Sequence, residues 1–304
     1  MKKAKHAFNV QAEQKNLRLD IFLTQNIPDI PSRTFVKKMI EEGRVLVNKK
    51  KVKAHYKTET SDRIEVDIPE ESLPLDSIEP EDIPLDIFYE DDYLIVIHKP
   101  VGMLVHPAYG RAKGTLVNAL LHHSARLSDV NAEFRPGIVH RLDEDTSGLI
   151  LIAKDNQTHV QLAGQFKDHT IKKKYIALVQ GEIEFDEGRI DAPLGRHFYY
   201  RDKRGVRFTD SAQEAVTYYR VIKCVRGITF VALFPQTGRT HQLRVHMAYL
   251  KHPILGDEKY GKKETFPRLA LHAQAIGFIH PQLNSFMEFS SQIPADFLAQ
   301  IKEK

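Results

Sequence analysis

Four stretches of the 304-residue chain combine residue types that could do chemistry. In GIVHRLDEDTSGLILIAKD (137–155), His140, Arg141, Asp143, Glu144 and Asp145 lie between two apolar runs, and Thr146, Ser147 and Gly148 make the break. Charges beside an apolar run are held there at a desolvation cost, so they need partners or a task. Lys172, Lys173 and Lys174 lead directly into Tyr175. TGRTHQLRVH (237–246) sets Arg239, His241, Arg244 and His246 beside a Gly turn, and LHAQAIGFIHP (271–281) puts His272 and His280 in an apolar strand pattern. A carboxylate in such surroundings can act as nucleophile, or as acid and base, at a sugar C1′. Spacing alone does not choose Asp143 over Asp145.

Other chemistries lack their usual signatures. The chain has 15 histidines, but His241 and His246 are five apart and would not face the same way on a helix, and there is no HExxH pair. No metal site is expected. Cys224 is the single cysteine, which excludes an internal disulfide and any cysteine-cluster zinc or iron–sulfur centre. Nucleophile elbow, phosphate-cradling loop and dinucleotide fingerprint are all missing, so acyl transfer, NTP hydrolysis and hydride transfer lose their sequence support. The plain alternatives are an Asp beside an Arg as a structural salt bridge and a strand-initial Tyr as core with its hydroxyl at the surface.

The positioning elements follow from periodicity. Leu149–Ala153 is a continuous apolar run suited to a strand buried on both faces. Lys174–Val179, Glu214–Lys223 and Ile228–Phe234 read as further strands, and Ile87–Ile97 as a strand pattern interrupted by an acidic turn. Thr115–Leu121 has helical apolar spacing, and Asn156 can cap a helix running to Lys167. After Gly238 a helix is expected on which Leu243, Met247 and Leu250 share an apolar face and Thr240 and Arg244 share another edge. This places Arg244 to lean toward a neighbouring element. Many strands with few helices and no regular βαβ alternation predict an α+β domain, a mixed, mainly antiparallel sheet with flanking helices.

Charge marks the domain boundary. Residues 1–69 are rich in Lys and Arg, whereas Glu70–Asp92 holds ten acidic residues and no Lys or Arg, with Pro74, Pro80 and Pro84 interspersed. We expect a small basic α/β module over 11–69, a linker over 70–84 and a second domain over 85–304. In the module, Leu19, Phe22 and Leu23 have helical spacing, and Phe35, Val36, Met39 and Ile40 form one face of a second helix closed by Gly43. Arg44–Asn48 with Lys49, Lys50 and Lys51 reads as a hairpin with a cationic tip. RHFYYRDKRGVR (196–207) is basic and aromatic, a solvated loop or a single-stranded RNA contact. The net charge of +4 permits a polyanionic partner without requiring one. The opening MKKAKHAFNV has no apolar signal core and no run approaches transmembrane length, so a cytoplasmic chain without membrane contact is expected.

Two resemblances sharpen these readings. Arg18-Leu-Asp20, Ser32-Arg33, Ile40–Asn48 and Asp62–Ile64 resemble the alpha-L RNA-binding module of a small-subunit ribosomal protein, which implies that Arg33, Lys37, Lys38, Arg44, Lys49, Lys50 and Lys51 contact RNA phosphates. HRLDEDTSG (140–148), Lys174-Tyr175, GRTHQLR (238–244) with His246, HPILGD (252–257) and Leu271-His-Ala273 run in the order of the RluA-type pseudouridine synthase family, in the arrangement of its RluC- and RluD-like members. That resemblance implies Asp143 as catalytic aspartate, Tyr175 stacking on the flipped base and serving in proton removal from C5, Arg244 paired with Asp143, and Arg141 displacing the target base. It implies an isomerisation without cofactor. The RNA partner would be large-subunit (23S-type) ribosomal RNA, with transfer RNA as the alternative, and a monomer is expected because no exposed apolar stripe stands out. Two competitors are a non-catalytic RNA-binding assembly factor and a two-carboxylate glycoside or nucleoside hydrolase, which needs a second acid across the site. Glu144 and Asp145 are read as shaping the turn before Gly148.

Overall fold

The computed structural model describes residues 4–27, 33–68, 78–108, 111–124, 126–130, 135–200, 203–262 and 265–301. Apart from the short 108–112 segment, the chain divides into two compact units at Ile78/Glu79.

The first unit contains β1 (Ala4–Asn9), α1 (Leu19–Asn26), α2 (Arg33–Glu41), β2 (Val45–Val47), β3 (Lys50–Lys51) and β4 (Arg63–Ile68). Its antiparallel sheet has the order β1-β4-β2-β3. Leu19, Phe22 and Leu23 of α1 and Val36, Met39 and Ile40 of α2 meet Val45, Val47, Ile64 and Val66 in one buried cluster. The β2–β3 turn has Asn48 at φ 51° and Lys49 at φ 63°, two successive left-handed residues as a tight hairpin needs. The module begins before residue 11, because β1 pairs along its length with β4. Of the linker expected over 70–84, residues 70–77 lie outside the described residues. Residues 79–84 are tied to the second unit: the Glu81 N–H donates to the Asn118 carbonyl (3.0 Å), and Asn118 Nδ2 to the Glu79 carbonyl (2.9 Å).

The second unit contains β5 (Ile87–Glu90), β6 (Leu94–Lys99), α3 (Leu116–His123), β7 (Ser147–Ala153), α4 (Asn156–Lys167), β8 (Lys172–Gln180), β9 (Glu187–Asp191), β10 (Leu194–Arg196), β11 (Arg204–Val206), β12 (Val216–Val225), β13 (Ile228–Pro235), α5 (Gln242–Tyr249), β14 (Leu271–Ile279), β15 (Phe286–Ser290) and α6 (Ala295–Ile301). The main sheet runs β5-β6-β7-β14-β8-β13-β12-β9, with β15 also on β14, while β10 and β11 pair separately. Among the described strands every pairing is antiparallel except β7 with β14, which is parallel and spans two residue pairs, His272 with Ser147 and Ala273 with Gly148. The fold is thus mixed α/β around a mainly antiparallel sheet, as the strand spacing predicts. Two local readings differ. Asp155, not Asn156, caps α4 by accepting the Thr158 N–H (2.8 Å). Thr240 precedes α5, which starts at Gln242, so Thr240 and Arg244 do not share a helix edge.

This register positions the site. Every residue of β7 is buried, so the polar stretch 140–146 is delivered to the middle of the sheet. Ala273 pairs with Gly148 on one side and with Tyr175 on the other, so two strand spacings, ~10 Å, separate those residues. Gly148 sits at φ 115°, and a Cβ there would run into the backbone of Ala273. Gly148→Ala is therefore expected to destabilise the unit by about 2 kcal/mol or more, read as a lower urea midpoint.

Candidate active site

A cavity of about 500 Å³ opens beside the end of β7, lined by Arg141, Asp143, His169, Lys173, Tyr175, Arg239, His241 and Arg244 among others. Among the described residues that line it, Asp143 is the only carboxylate. Backbone geometry separates Asp143 from its acidic neighbours. The Thr146 N–H closes a turn on the Asp143 carbonyl (3.1 Å), and this tight turn leaves Glu144 and Asp145 outside the cavity.

Arg244 is buried on α5 and forked onto Asp257. Its Nε donates to Asp257 Oδ2 and its Nη2 to Oδ1, both at 2.8 Å, and its Nη1 reaches Asp143 Oδ2 at 3.4 Å. The family resemblance pairs Arg244 with Asp143. The structure makes Asp257 its principal partner, so Arg244 is fixed first and presented to Asp143 second. Burial opposes the guanidinium charge, but Asp257 and then Asp143 raise its pKa above the ordinary arginine value. Burial likewise opposes the Asp257 charge, yet Arg244 and the N–H groups of Tyr260 and Lys259 hold its pKa below the usual range. Gly256, at φ 69°, lets the chain pass the Arg268 carbonyl just before Asp257.

Tyr175 lies on β8 between Ala273 and Leu233. Burial and then the Asp143 charge push its phenol pKa well up, so its hydroxyl stays protonated at neutral pH. His241 approaches Asp143 Oδ2 with Nε2 at 3.9 Å and shares a hydrogen bond through Nδ1 with Tyr260 Oη (2.8 Å). Burial lowers its pKa to about 4 and keeps it neutral. The Tyr260 ring lies 5.3 Å from the Arg244 guanidinium. The loop before α5 is pinned by Gln242, whose Oε1 accepts from the Thr237 hydroxyl (2.8 Å) and the Arg239 N–H (2.9 Å). Arg239 itself donates to the Glu214 carbonyl (3.0 Å).

Residues 93–249, half of the chain, match the RNA pseudouridylate synthase family, and residues 17–64 match the S4 domain. The chain belongs to the RNA pseudouridine synthase family. The synthase is 44% identical to the Bacillus subtilis protein described as uncharacterized RNA pseudouridine synthase YlyB, over 95% of each chain. It is also 44% identical to ribosomal large subunit pseudouridine synthase D of Zymomonas mobilis, over 79% of this chain and 78% of that one. Among solved structures, human RNA Pseudouridylate Synthase Domain Containing 1 aligns with a TM-score of 0.57 at 25% identity, covering 71% of this chain and 84% of the other.

The other residues singled out in the synthase sequence have plain places. Arg141 is exposed at the cavity rim. His140 stacks on Phe166 (4.6 Å), and its Nε2 accepts the Leu151 N–H (2.9 Å); burial drops its pKa to about 3, so it braces β7 as a neutral ring. His272 bridges the Ser147 and Ser291 hydroxyls at 2.9 Å each, His246 binds Thr217 and the Ala192 carbonyl, and His280 faces Asp91. In the basic module, Lys49, Lys50 and Lys51 are exposed. Lys37 lies 3.7 Å from Asp20, and Arg44 donates to Glu42 (3.1 Å), so both face a carboxylate. The side chains of Arg33 and Lys38 lie outside the described residues.

The sequence does not single out Lys99, and it marks Lys173 only as one of three cations before Tyr175. Lys99 is fully buried, and its Nζ donates to the carbonyls of Pro100 (2.7 Å), Met103 (3.0 Å) and Glu144 (3.0 Å). It therefore clamps the acidic turn from below; a lysine ending the apolar run LIVIH was the available signal. Lys173 lines the cavity and donates to the Thr237 carbonyl (3.4 Å). Burial lowers both ammonium groups to about 8. Because the unfolded lysines keep their protons to a higher pH, stability should rise with pH from about 8 toward 10.5. Lys99→Met should flatten that rise. The Pro100 and Met103 carbonyls would lose their donor, whereas Glu144 keeps the Gly102 N–H, and this should also cost about 1–3 kcal/mol at pH 7, read by urea titration across pH.

Proposed function

We propose that the synthase isomerises uridines of large-subunit ribosomal RNA at the cavity around Asp143. The reading is carried by one observation: the one carboxylate among the described lining residues shares its cavity with Tyr175 and with a guanidinium locked by Asp257. In this mechanism the uridine leaves its stack, helped by Arg141, and its base packs against Tyr175. The Asp143 carboxylate acts at the target nucleotide as the N1–C1′ bond breaks, the uracil turns, and C5–C1′ forms as the C5 proton leaves. Arg244 keeps Asp143 oriented. Because the Tyr175 phenol holds its proton, Tyr175 serves by stacking, and it can take the C5 proton only after giving up its own. A hydrolase would need a second cavity acid, and Glu144 and Asp145 lie outside.

The target class follows relatives named ribosomal large subunit pseudouridine synthase D. Lys49, Lys50 and Lys51 are proposed to hold RNA phosphates, with Arg33, Lys37, Lys38 and Arg44 contributing around them. The enzyme is proposed to act as a cytoplasmic monomer. Pseudouridine mapping in ribosomal and transfer RNA from cells lacking the gene tests the assignment. Loss of one or more sites in large-subunit RNA is expected, whereas loss confined to transfer RNA would replace the substrate, and no loss would overturn the function. Residues 1–69 are proposed to be separable from the catalytic domain. Their deletion should leave a cooperatively melting remainder and weaken RNA binding with a shallower salt dependence, the loss being largest at low salt.

A further inference from the structure

The β10–β11 hairpin carries chemistry that the isomerisation does not use. Its register sets Arg196 directly opposite Arg204, a like-charge cross-strand pair that opposes hairpin formation. These two arginines, with Arg207 and Arg239, line a second cavity of about 600 Å³ that also presents Thr209, Ser211 and Thr240. Among the described residues, no carboxylate lines it. Asp210 and Glu214 are exposed and are not among the residues that line it. Four guanidinium groups around a concave surface with hydroxyl donors fit phosphate oxygens.

Beyond the arginines the hairpin exposes rings. Phe198, Tyr199 and Tyr200 are 74%, 80% and 57% exposed, a density of bare aromatic surface that a solvated turn does not need. Lys203 sits over Tyr200 (5.1 Å) and Arg207 over Phe198 (5.2 Å), so the rings and cations are interleaved. Arg201 and Asp202 lie outside the described residues.

The second cavity adjoins the first, since Arg239 and Thr240 line both. The hairpin is also tied to the reaction site: the Arg204 N–H donates to Tyr260 Oη (2.8 Å), and Tyr260 in turn holds His241 beside Asp143.

We propose that this hairpin is a single-strand RNA clamp: the arginine cavity takes phosphates flanking the target uridine, and Phe198, Tyr199 and Tyr200 stack on unpaired neighbouring bases. The clamp deepens the RNA-modifying reading and rests on it for the identity of the strand. It selects unpaired context around the uridine, because bases inside a duplex offer no free face to the rings.

The test is fluorescence anisotropy of the full chain with a single-stranded RNA lacking uridine, and with a duplex of equal length, over a range of salt. A probe without uridine cannot react, so failure of the isomerase reading would appear in the pseudouridine maps and leave this result standing. The variant Arg196→Ala/Arg207→Ala should lower the slope of log affinity against log salt by about 1.4, two single-strand phosphate contacts at ~0.7 each. Tyr199→Ala alone, at an exposed position, should weaken single-strand binding about tenfold and leave duplex binding unchanged. Unchanged slope in the arginine variant, or equal loss on single strand and duplex for Tyr199→Ala, with melting as in the parent, would overturn the clamp.

Discussion

Asp143→Asn should lose pseudouridine formation by about a thousandfold or more while RNA binding is retained. The substitution keeps the shape of the side chain and leaves an oxygen for Arg244 Nη1, so the cavity should not rearrange. It removes the one negative charge lining the cavity, and affinity for a polyanion should therefore hold or tighten slightly. Tritium release from C5-labelled uridine RNA reads the first quantity, and filter binding the second. Full turnover by Asp143→Asn would end the assignment of Asp143. A parallel loss of binding would instead mean that the residue holds RNA.

The second large effect concerns the Asp257–Arg244–Asp143 chain of charges. Removing one member of a buried pair strands the other, at ~3–5 kcal/mol. Asp257→Asn should therefore lower stability, and activity measured well below its melting temperature should still fall about 10- to 100-fold, because the guanidinium is no longer forked in place. Arg244→Lys restores a charge without the fork and should not recover the rate. Arg244→Met should be slower still, since nothing then addresses Asp143. If Arg244→Met turned over like the parent, the guanidinium would have no part in orienting the carboxylate.

Much of the architecture is legible in periodicity. The apolar run Leu149–Ala153 is a strand buried throughout, the apolar faces of α1 and α2 meet the sheet of the first unit, and the scarcity of βαβ alternation matches a sheet with one parallel pairing among its described strands. What the sequence could not supply was partners distant in the chain. Arg244 and Asp257 are joined by a turn whose geometry depends on Gly256 passing the Arg268 carbonyl, and no periodicity encodes that. Lys99 is 45 residues from the carbonyl of Glu144 it holds. Thr240 was placed on α5 by its spacing from Arg244, but Gln242 ends the preceding loop by binding Thr237 and Arg239, and helix geometry begins only there. The start of the first module was missed because β1 is polar and basic at its outset, and only its pairing with β4 marks it as a strand.

The two-residue parallel contact between β7 and β14 divides the second unit into two antiparallel leaves, and the cavity lies across their join. Asp143 belongs to the β7 leaf, whereas Tyr175 and Arg244 belong to the other. The join is sewn by two backbone pairs and by His272 between Ser147 and Ser291. Distances among the three residues are therefore governed by a fold line rather than by any single element. A substitution along that crease, remote from substrate, would be felt in turnover as well as in stability, so the crease and the chemistry are constrained together.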